Sequence, residues 1–514
     1  MQNTRYARHG MVCSVDHLAS AAGIVALDRG GSAADAAIAT NAVLAVTAPH
    51  MCGMGGDLFA LVHHEGAVTA LNASGRAGSG ADPERLRAEG HDRMPHLNDI
   101  RSVPVPGCVD GWIALHERYG RLPLGELLEP AIRLARDGFP ASPLLAPGAQ
   151  IVAAQRGGSD FAGVRAAGDP MRRPGVARAL EAIAAEGRKG FYLGEFGQGL
   201  LELGAGEYAE ADLARPLADW VTPIGVRAFG HEVWSVPPNS QGYLLLLALG
   251  IADGLDLPDS PDDPLFAHLL AEASRAAGHD RLKVLHEHAA GLVTAEEIAR
   301  RRAMVDPAAR RLLSPPNADG DTTYLCVVDG EGMGVSLIQS NASGFGSLLF
   351  EPRTGINLHN RGIGFSLEPG HPAEYGPGRR PPHTLAPALI TRPDGSLRSV
   401  VGTMGGDAQP QILLQVITRL LRYGEAPGPA IAAPRWRLAS GATGFDTWRA
   451  PDETTVELEA EAPWGEGLRE RGHTVTAMPY GSTFGHAHLV DVRPDGTLAG
   501  AADPRSVIGA AIGR

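Results

Sequence analysis

Two rhythms of apolar and polar residues run along this chain, and the change between them falls near residue 321. Over residues 14–50 the apolar positions recur every three to four residues, the spacing of one helical face. Residues 17–27 predict a helix stopped by Gly30-Gly31. Ser32-Ala33-Ala34-Asp35 opens a second, with Ala36, Ala37, Ile38, Ala42, Val43 and Val46 as its small apolar face. A glycine-rich loop over 51–57 leads into short strands expected at 58–62 and 67–71. Helices follow around 112–118 and over 125–137, the latter ended by Gly138. Residues 150–310 read as mostly helical, with a strand-like insert at 232–236, a helix over 264–285 and a charged helix over 294–304. After residue 321 the period shortens to two, and 324–328, 334–339, 388–391, 399–401 and 488–492 read as strands. No internal repeat interrupts this order. The pattern predicts an α/β (α+β) protein with helices packed over stacked sheets.

Composition narrows the function classes. A chain of 514 residues can bury a large core and sets a prior of two to four domains. Its formal charge of −13 argues against nucleic acid or an anionic membrane as partner. No apolar run reaches 18 residues, so no transmembrane helix is expected. Residues 1–10 lack a signal peptide's apolar core, which makes the cytoplasm the expected compartment. Cys13, Cys52, Cys108 and Cys326 form no CxxC pair and read as buried small apolar side chains.

The chemistry concentrates where the rhythm changes. A polar run, Ser314-Pro315-Pro316-Asn317-Ala318-Asp319-Gly320, is followed by Asp321-Thr322-Thr323-Tyr324. A threonine hydroxyl is a poor nucleophile until a base takes its proton. Cutting the bond before Thr322 would create an α-amine beside that hydroxyl, with a reference pKa of about 7.7–8.0. Read plainly, two threonines opening a strand are β-branched filler. A nucleophile that carries its own base needs no metal or cofactor, and none is expected. The best metal spacings, His286-Glu287-His288 and His486-Ala487-His488, have no third ligand at a recognisable distance. The loop over 53–57 lacks the lysine of a phosphate cradle and reads as a tight turn.

Several segments together resemble the γ-glutamyltranspeptidase family of N-terminal-nucleophile hydrolases. They are Gly30-Gly31-Ser32-Ala33-Ala34-Asp35-Ala36-Ala37, Gly53-Met54-Gly55-Gly56-Asp57 and Val105-Pro106-Gly107-Cys108-Val109-Asp110-Gly111. Tyr119-Gly120-Arg121-Leu122-Pro123-Leu124 and the run from Glu129 to Phe139 follow. Thr322-Thr323-Tyr324, Gly402-Thr403-Met404-Gly405-Gly406 and Ala502-Asp503-Pro504-Arg505-Ser506 complete the set. The resemblance implies a four-layer αββα fold of two stacked antiparallel sheets flanked by helices. It also implies a proenzyme that cuts itself into a large subunit, 1–321, and a small one, 322–514. Thr322 would be nucleophile and, through its amine, general base. Gly405 and Gly406 would donate backbone N–H groups to an oxyanion, since they precede a helix start. Ser340 matches a hydroxyl residue that bonds the nucleophile, and its position 18 residues on suits a returning hairpin.

Departures from the family pattern bear on the substrate. Ile363 and Gly364 stand where acidic residues would hold an α-ammonium, and the stretch Arg379-Arg380-Pro381-Pro382-His383-Thr384-Leu385-Ala386-Pro387 stands where the family has a carboxylate-binding serine pair. The loop between Phe365 and His383 is shorter than a lid requires. Arg76 is an approximate counterpart of the family's carboxylate-binding arginine; Arg361, Arg379 and Arg380 offer further guanidinium groups. Arg76, Asn341, Arg361, His383 and Thr384 are therefore the expected substrate contacts. The expected reaction is cleavage of a small-molecule acyl amide lacking an α-amine, with water or an amine as acceptor, as in acylase-like and amidohydrolase-like members. The alternatives are a true γ-glutamyltransferase or glutathione hydrolase, an amide or C–C hydrolase of secondary metabolism, and an unprocessed, non-catalytic descendant. Expected partners are the two subunits of one precursor, with a homodimer left open.

Overall fold

The computed structural model describes residues 3–311, 321–440, 447–448 and 452–514; the polar run at 314–320 lies outside the described residues. Strand Asp321–Asp329 shows why the architecture follows from the period-two pattern. Successive side chains on a strand face opposite ways. Leu325 and Val327 enter one apolar cluster, whereas Tyr324, Cys326 and Val328 enter another. Both faces are buried, so the strand runs inside a layered molecule rather than along its surface.

It belongs to a seven-stranded antiparallel sheet ordered Ala510–Gly513, Gly10–Ser14, Asp321–Asp329, Gly334–Ala342, Asp57–His64, Ala67–Ala73 and Asp219–Val221. A second antiparallel sheet of seven runs Arg5–Ala7, Leu498–Ala502, Ala487–Val492, Leu397–Thr403, Ala388–Thr391, His231–Ser235 and Ile224–Ala228. Met11, Phe59, Tyr324, Ile338, Leu389 and Val490 fill the space between the two. Helices His17–Asp28, Ala33–Thr47, Leu124–Asp137 and Pro174–Glu186 cover the outer face of the first sheet through Leu27, Ile38, Leu128 and Leu180. Helices Gly242–Asp253, Pro264–Gly278 and Gln409–Arg422 cover the second through Leu245, Leu270 and Leu413. The result is the expected four-layer αββα stack.

Local chemistry fixes several element ends. Ser32 Oγ accepts from Asp35 N at 3.2 Å while Asp35 Oδ2 accepts from Ser32 N at 2.9 Å, a reciprocal cap on the wholly buried helix Ala33–Thr47. Thr294 caps Ala295–Arg302 in the predicted charged segment.

Elsewhere the structure corrects the sequence reading. Besides the expected insert, seen as His231–Ser235, the stretch 150–310 carries the strands Pro170–Met171, Asp219–Val221 and Ile224–Ala228, too short to display a period. The helix expected over 264–285 ends at Gly278 and resumes as Arg281–Val284. A small third sheet, Trp436–Ala439, Thr455–Glu459 and Val475–Met478, contains a parallel pair. All four cysteines are buried and unpaired. Among the described residues, no helix is long and apolar enough to cross a membrane.

Candidate active site

Thr322 lies at a break in strand pairing. Asp321 pairs with Ala342 and Thr323 with Gln339, so the register slips at Thr322. An irregular step of this kind re-aims a side chain out of the ladder. Thr322 Oγ1 stands 3.0 Å from Ser340 Oγ and accepts from Gln409 Nε2 at 3.3 Å, with all three side chains buried. Ser340 Oγ accepts from Arg361 Nη2 at 3.1 Å and from the Ala342 N–H at 2.9 Å. Either hydroxyl of the Thr322–Ser340 pair can be the donor.

A buried carboxylate stands behind Arg361. Asp57 Oδ2 accepts from Arg361 Nε at 3.2 Å and from His383 Nε2 at 2.6 Å, and lies 3.3 Å from His359 Nδ1. Burial opposes the charge on Asp57. The His383 and Arg361 groups beside it, with His359, outweigh that penalty and hold the carboxyl well below its usual range. His383 Nδ1 accepts from the Leu385 N–H at 3.2 Å, which places the ring hydrogen on Nε2. Burial, reinforced by the Arg361 charge, pushes the His383 imidazole down to about 3, so the ring is neutral. The glycine loop delivers Asp57 to this point by close approach. A Cβ at Gly56 would sit 2.3 Å from the Ser340 carbonyl oxygen, so only glycine lets the loop run against that strand end.

Gly405 and Gly406 turn the chain from strand Leu397–Thr403 into helix Gln409–Arg422. Their φ values of 133° and 54° are conformations that side chains other than glycine's resist. Among the described residues, no acceptor takes either N–H. Gln241 ties the turn to the rest of the site: its Nε2 donates to the Gly406 carbonyl at 3.0 Å and to the Thr384 carbonyl at 2.7 Å. Thr384 Oγ1 in turn accepts from Arg361 Nη1 at 3.0 Å. The chain of contacts therefore joins Thr322, Ser340, Arg361, His383, Thr384 and Gly406.

Other expected residues have different neighbours. Asn341 Nδ2 donates to the Pro49 carbonyl at 3.0 Å. The Arg76 guanidinium is held by Glu287 at 3.2 Å, the Gly378 carbonyl at 3.0 Å and Asp219 at 3.3 Å. Arg379 bonds the Glu374 and Pro372 carbonyls; Arg380 is buried on Asn72, Ser74, Leu217 and Asp219. A substrate carboxylate would have to displace those acceptors. Among the described residues, no group of three or more His, Cys, Asp or Glu side chains could hold a metal ion.

Sequence reasoning passed over Asp57, Gln241 and Gln409. Asp57 was visible as a carboxylate ending a glycine loop, a composition that no simple turn needs. Gln409 stood in the helix-opening run after Gly406. Gln241 carried no signal.

A self-covering αββα sandwich with a buried hydroxyl at the head of an inner strand defines an enzyme of the N-terminal-nucleophile hydrolase class. The chain belongs to the gamma-glutamyltranspeptidase family, whose model matches residues 19–513. It is 36% identical to the glutathione hydrolase-like YwrD proenzyme of Bacillus subtilis, with 98% of each chain covered. It is 35% identical to the oxamate amidohydrolase proenzyme of Klebsiella pneumoniae, with 98% of this chain and 99% of that one covered. Among solved structures it resembles a cephalosporin acylase from Bacillus halodurans, with a TM-score of 0.90, 33% identity, and 100% of this chain and 97% of that chain covered.

Proposed function

We propose that the protein is a self-processing amidohydrolase that uses Thr322 as its amino-terminal nucleophile on small acyl amides lacking an α-amine. The observation that carries this reading is the buried Thr322 hydroxyl, 3.0 Å from Ser340 and bonded by the residue that opens the helix after Gly405-Gly406. After cleavage before Thr322, the new α-amine takes the hydroxyl proton, and the oxygen attacks the amide carbon. The tetrahedral oxygen is stabilised by the Gly405 and Gly406 N–H groups, the leaving amine takes the proton, and water hydrolyses the threonyl ester. Burial, and the Arg361 charge that contacts Ser340, both disfavour the ammonium form of that amine and so favour its use as the base.

Two observations support a donor without an α-amine. Ile363 and Gly364 supply no carboxylate, and a Cβ at Gly364 would lie 2.3 Å from the Pro382 carbonyl oxygen, so that turn leaves no room for an acidic side chain. Asp57, the carboxylate nearest Ser340 in the bonding chain, is already taken by Arg361 and His383. An unpaired buried ammonium costs several kcal/mol. The relative named as an oxamate amidohydrolase fits this reading, whereas the one named glutathione hydrolase-like favours γ-glutamyl donors as the second reading.

The test compares kcat/KM for γ-glutamyl p-nitroanilide with that for glutaryl p-nitroanilide, which differ only in the α-amine. The glutaryl compound is expected to be better, by about 30-fold or more if one buried charge contact of roughly 2–5 kcal/mol is missing. A tenfold or greater advantage for the γ-glutamyl compound establishes the second reading instead.

A further inference from the structure

Arg281, at the start of the short helix Arg281–Val284, is only 7% exposed. Among the described residues its side chain makes no hydrogen bond, its Nε is buried without a partner, and its one ionic neighbour is Asp407 Oδ1, 3.6 Å from Nη2. A guanidinium offers five N–H groups in a planar fork, and burying them without acceptors is costly. The arginines named for the substrate differ sharply. Arg76, Arg361, Arg379 and Arg380 all spend their forks on protein oxygens.

A second unfilled donor lies in the same place. The Tyr243 hydroxyl is fully buried and has no hydrogen-bond partner. Burial pushes its pKa up, partly offset by the Arg281 charge, so the hydroxyl keeps its hydrogen. Tyr243 is the second residue of helix Gly242–Asp253, and the residue before that helix, Gln241, bonds the Gly406 carbonyl. Asp407 follows Gly406 directly. Both unfilled donors therefore stand beside the Gly405-Gly406 turn.

We propose that Arg281 and Tyr243 form an anion subsite that takes a carboxylate of the acyl donor. The fork suits a carboxylate's two oxygens, and the phenol supplies a third hydrogen bond. Asp407, at ion-pair rather than hydrogen-bond distance, aims the guanidinium without filling it. The choice of ligand rests on the amidohydrolase reading above; the unfilled donors do not.

The experiment has a binding arm and a turnover arm. Calorimetry with glutarate measures the subsite without chemistry: saturable binding to the wild-type enzyme should weaken at least tenfold in Arg281→Met. For turnover, the ratio of kcat/KM for glutaryl over valeryl p-nitroanilide, which differ by the carboxylate, should fall by about 30-fold or more in Arg281→Met. Tyr243→Phe removes one oxygen and keeps the packing; it should lower the same ratio about threefold or more even if Arg281→Met does not fold. Equal glutarate affinity in wild type and variants, or ratios unchanged within twofold, overturns the subsite. If wild type cleaves neither anilide, the amidohydrolase reading has failed, and glutarate binding alone decides the subsite.

Discussion

Burying the Asp57 carboxylate is tolerable only while its partners stay in place, because an ion pair broken in the interior leaves an uncompensated charge. Asp57→Asn keeps the shape and removes the charge, stranding the Arg361 guanidinium in a site that is wholly buried. Breaking a buried pair from one side costs about 3–5 kcal/mol, so the variant should unfold at a clearly lower urea concentration at pH 7. Its kcat should fall too, since Arg361 is what holds Ser340 against Thr322. The pH dependence follows from the direction of the shift. The folded-state pKa of Asp57 lies below its unfolded value of about 3.9. Its contribution is therefore fully present above that value and is lost as pH falls through the lower folded one. The gap between wild type and Asp57→Asn should stay level from pH 5 to 8 and narrow below about pH 4. Unfolding midpoints across pH 3–8 check this, and a gap that persists undiminished at pH 3 contradicts the charged-pair account.

At the level of elements, the turn between strand Leu397–Thr403 and helix Gln409–Arg422 has a conformational reason for its glycines and, under the proposed mechanism, a chemical one. Gly406, at φ 54°, would strain under a β-branched residue, and a side chain there would crowd the group presented to its N–H. Loss of one oxyanion donor typically costs on the order of 10²–10³ in kcat. Gly406→Val should show at least that loss while still folding, with a melting temperature lowered by the backbone strain; a folded variant with normal kcat would remove the turn from the mechanism. How much of these elements could be read beforehand depended on length. The capped helices Ala33–Thr47 and Ala295–Arg302 span two turns or more and end within two residues of the reading. Strands Asp219–Val221 and Ile224–Ala228 offer three and five residues, too few to reveal alternation, and are held by pairing with distant partners. The same contrast applies within the site. Thr322, Gly405 and Gly406 sit at element boundaries that carry a local signal, whereas Ser340, inside strand Gly334–Ala342, was singled out by the family resemblance and its spacing from Thr322. Asp57 and Gln241 act across more than 140 residues of sequence, at Arg361 and Gly406, and no local pattern encodes such a contact.

At the scale of the whole molecule, the two segments flanking the Asp321–Thr322 bond are woven through both sheets. Gly10–Ser14 lies between Ala510–Gly513 and Asp321–Asp329, and Asp57–His64 pairs with Gly334–Ala342. In the other sheet Arg5–Ala7 flanks Leu498–Ala502, and His231–Ser235 pairs with Ala388–Thr391. Cutting the chain before Thr322 would sever one covalent bond and leave every one of these ladders intact. Separating the fragments would instead expose the apolar layer between the sheets, where Tyr324 and Ile338 from one segment pack with Met11 and Phe59 from the other. Apolar burial contributes about 25 cal/mol per Å², so no native condition should part them. The purified protein is thus expected to run as two bands, 1–321 and 322–514, on a denaturing gel, yet as one species in native size-exclusion chromatography. Intact mass should place Thr322 at the new amino terminus, and Thr322→Ala should remain a single inactive chain with the same native elution volume. A new terminus at any other residue would remove Thr322 from the nucleophile's place. Fragments that separate without denaturant would contradict the interleaved sheets themselves.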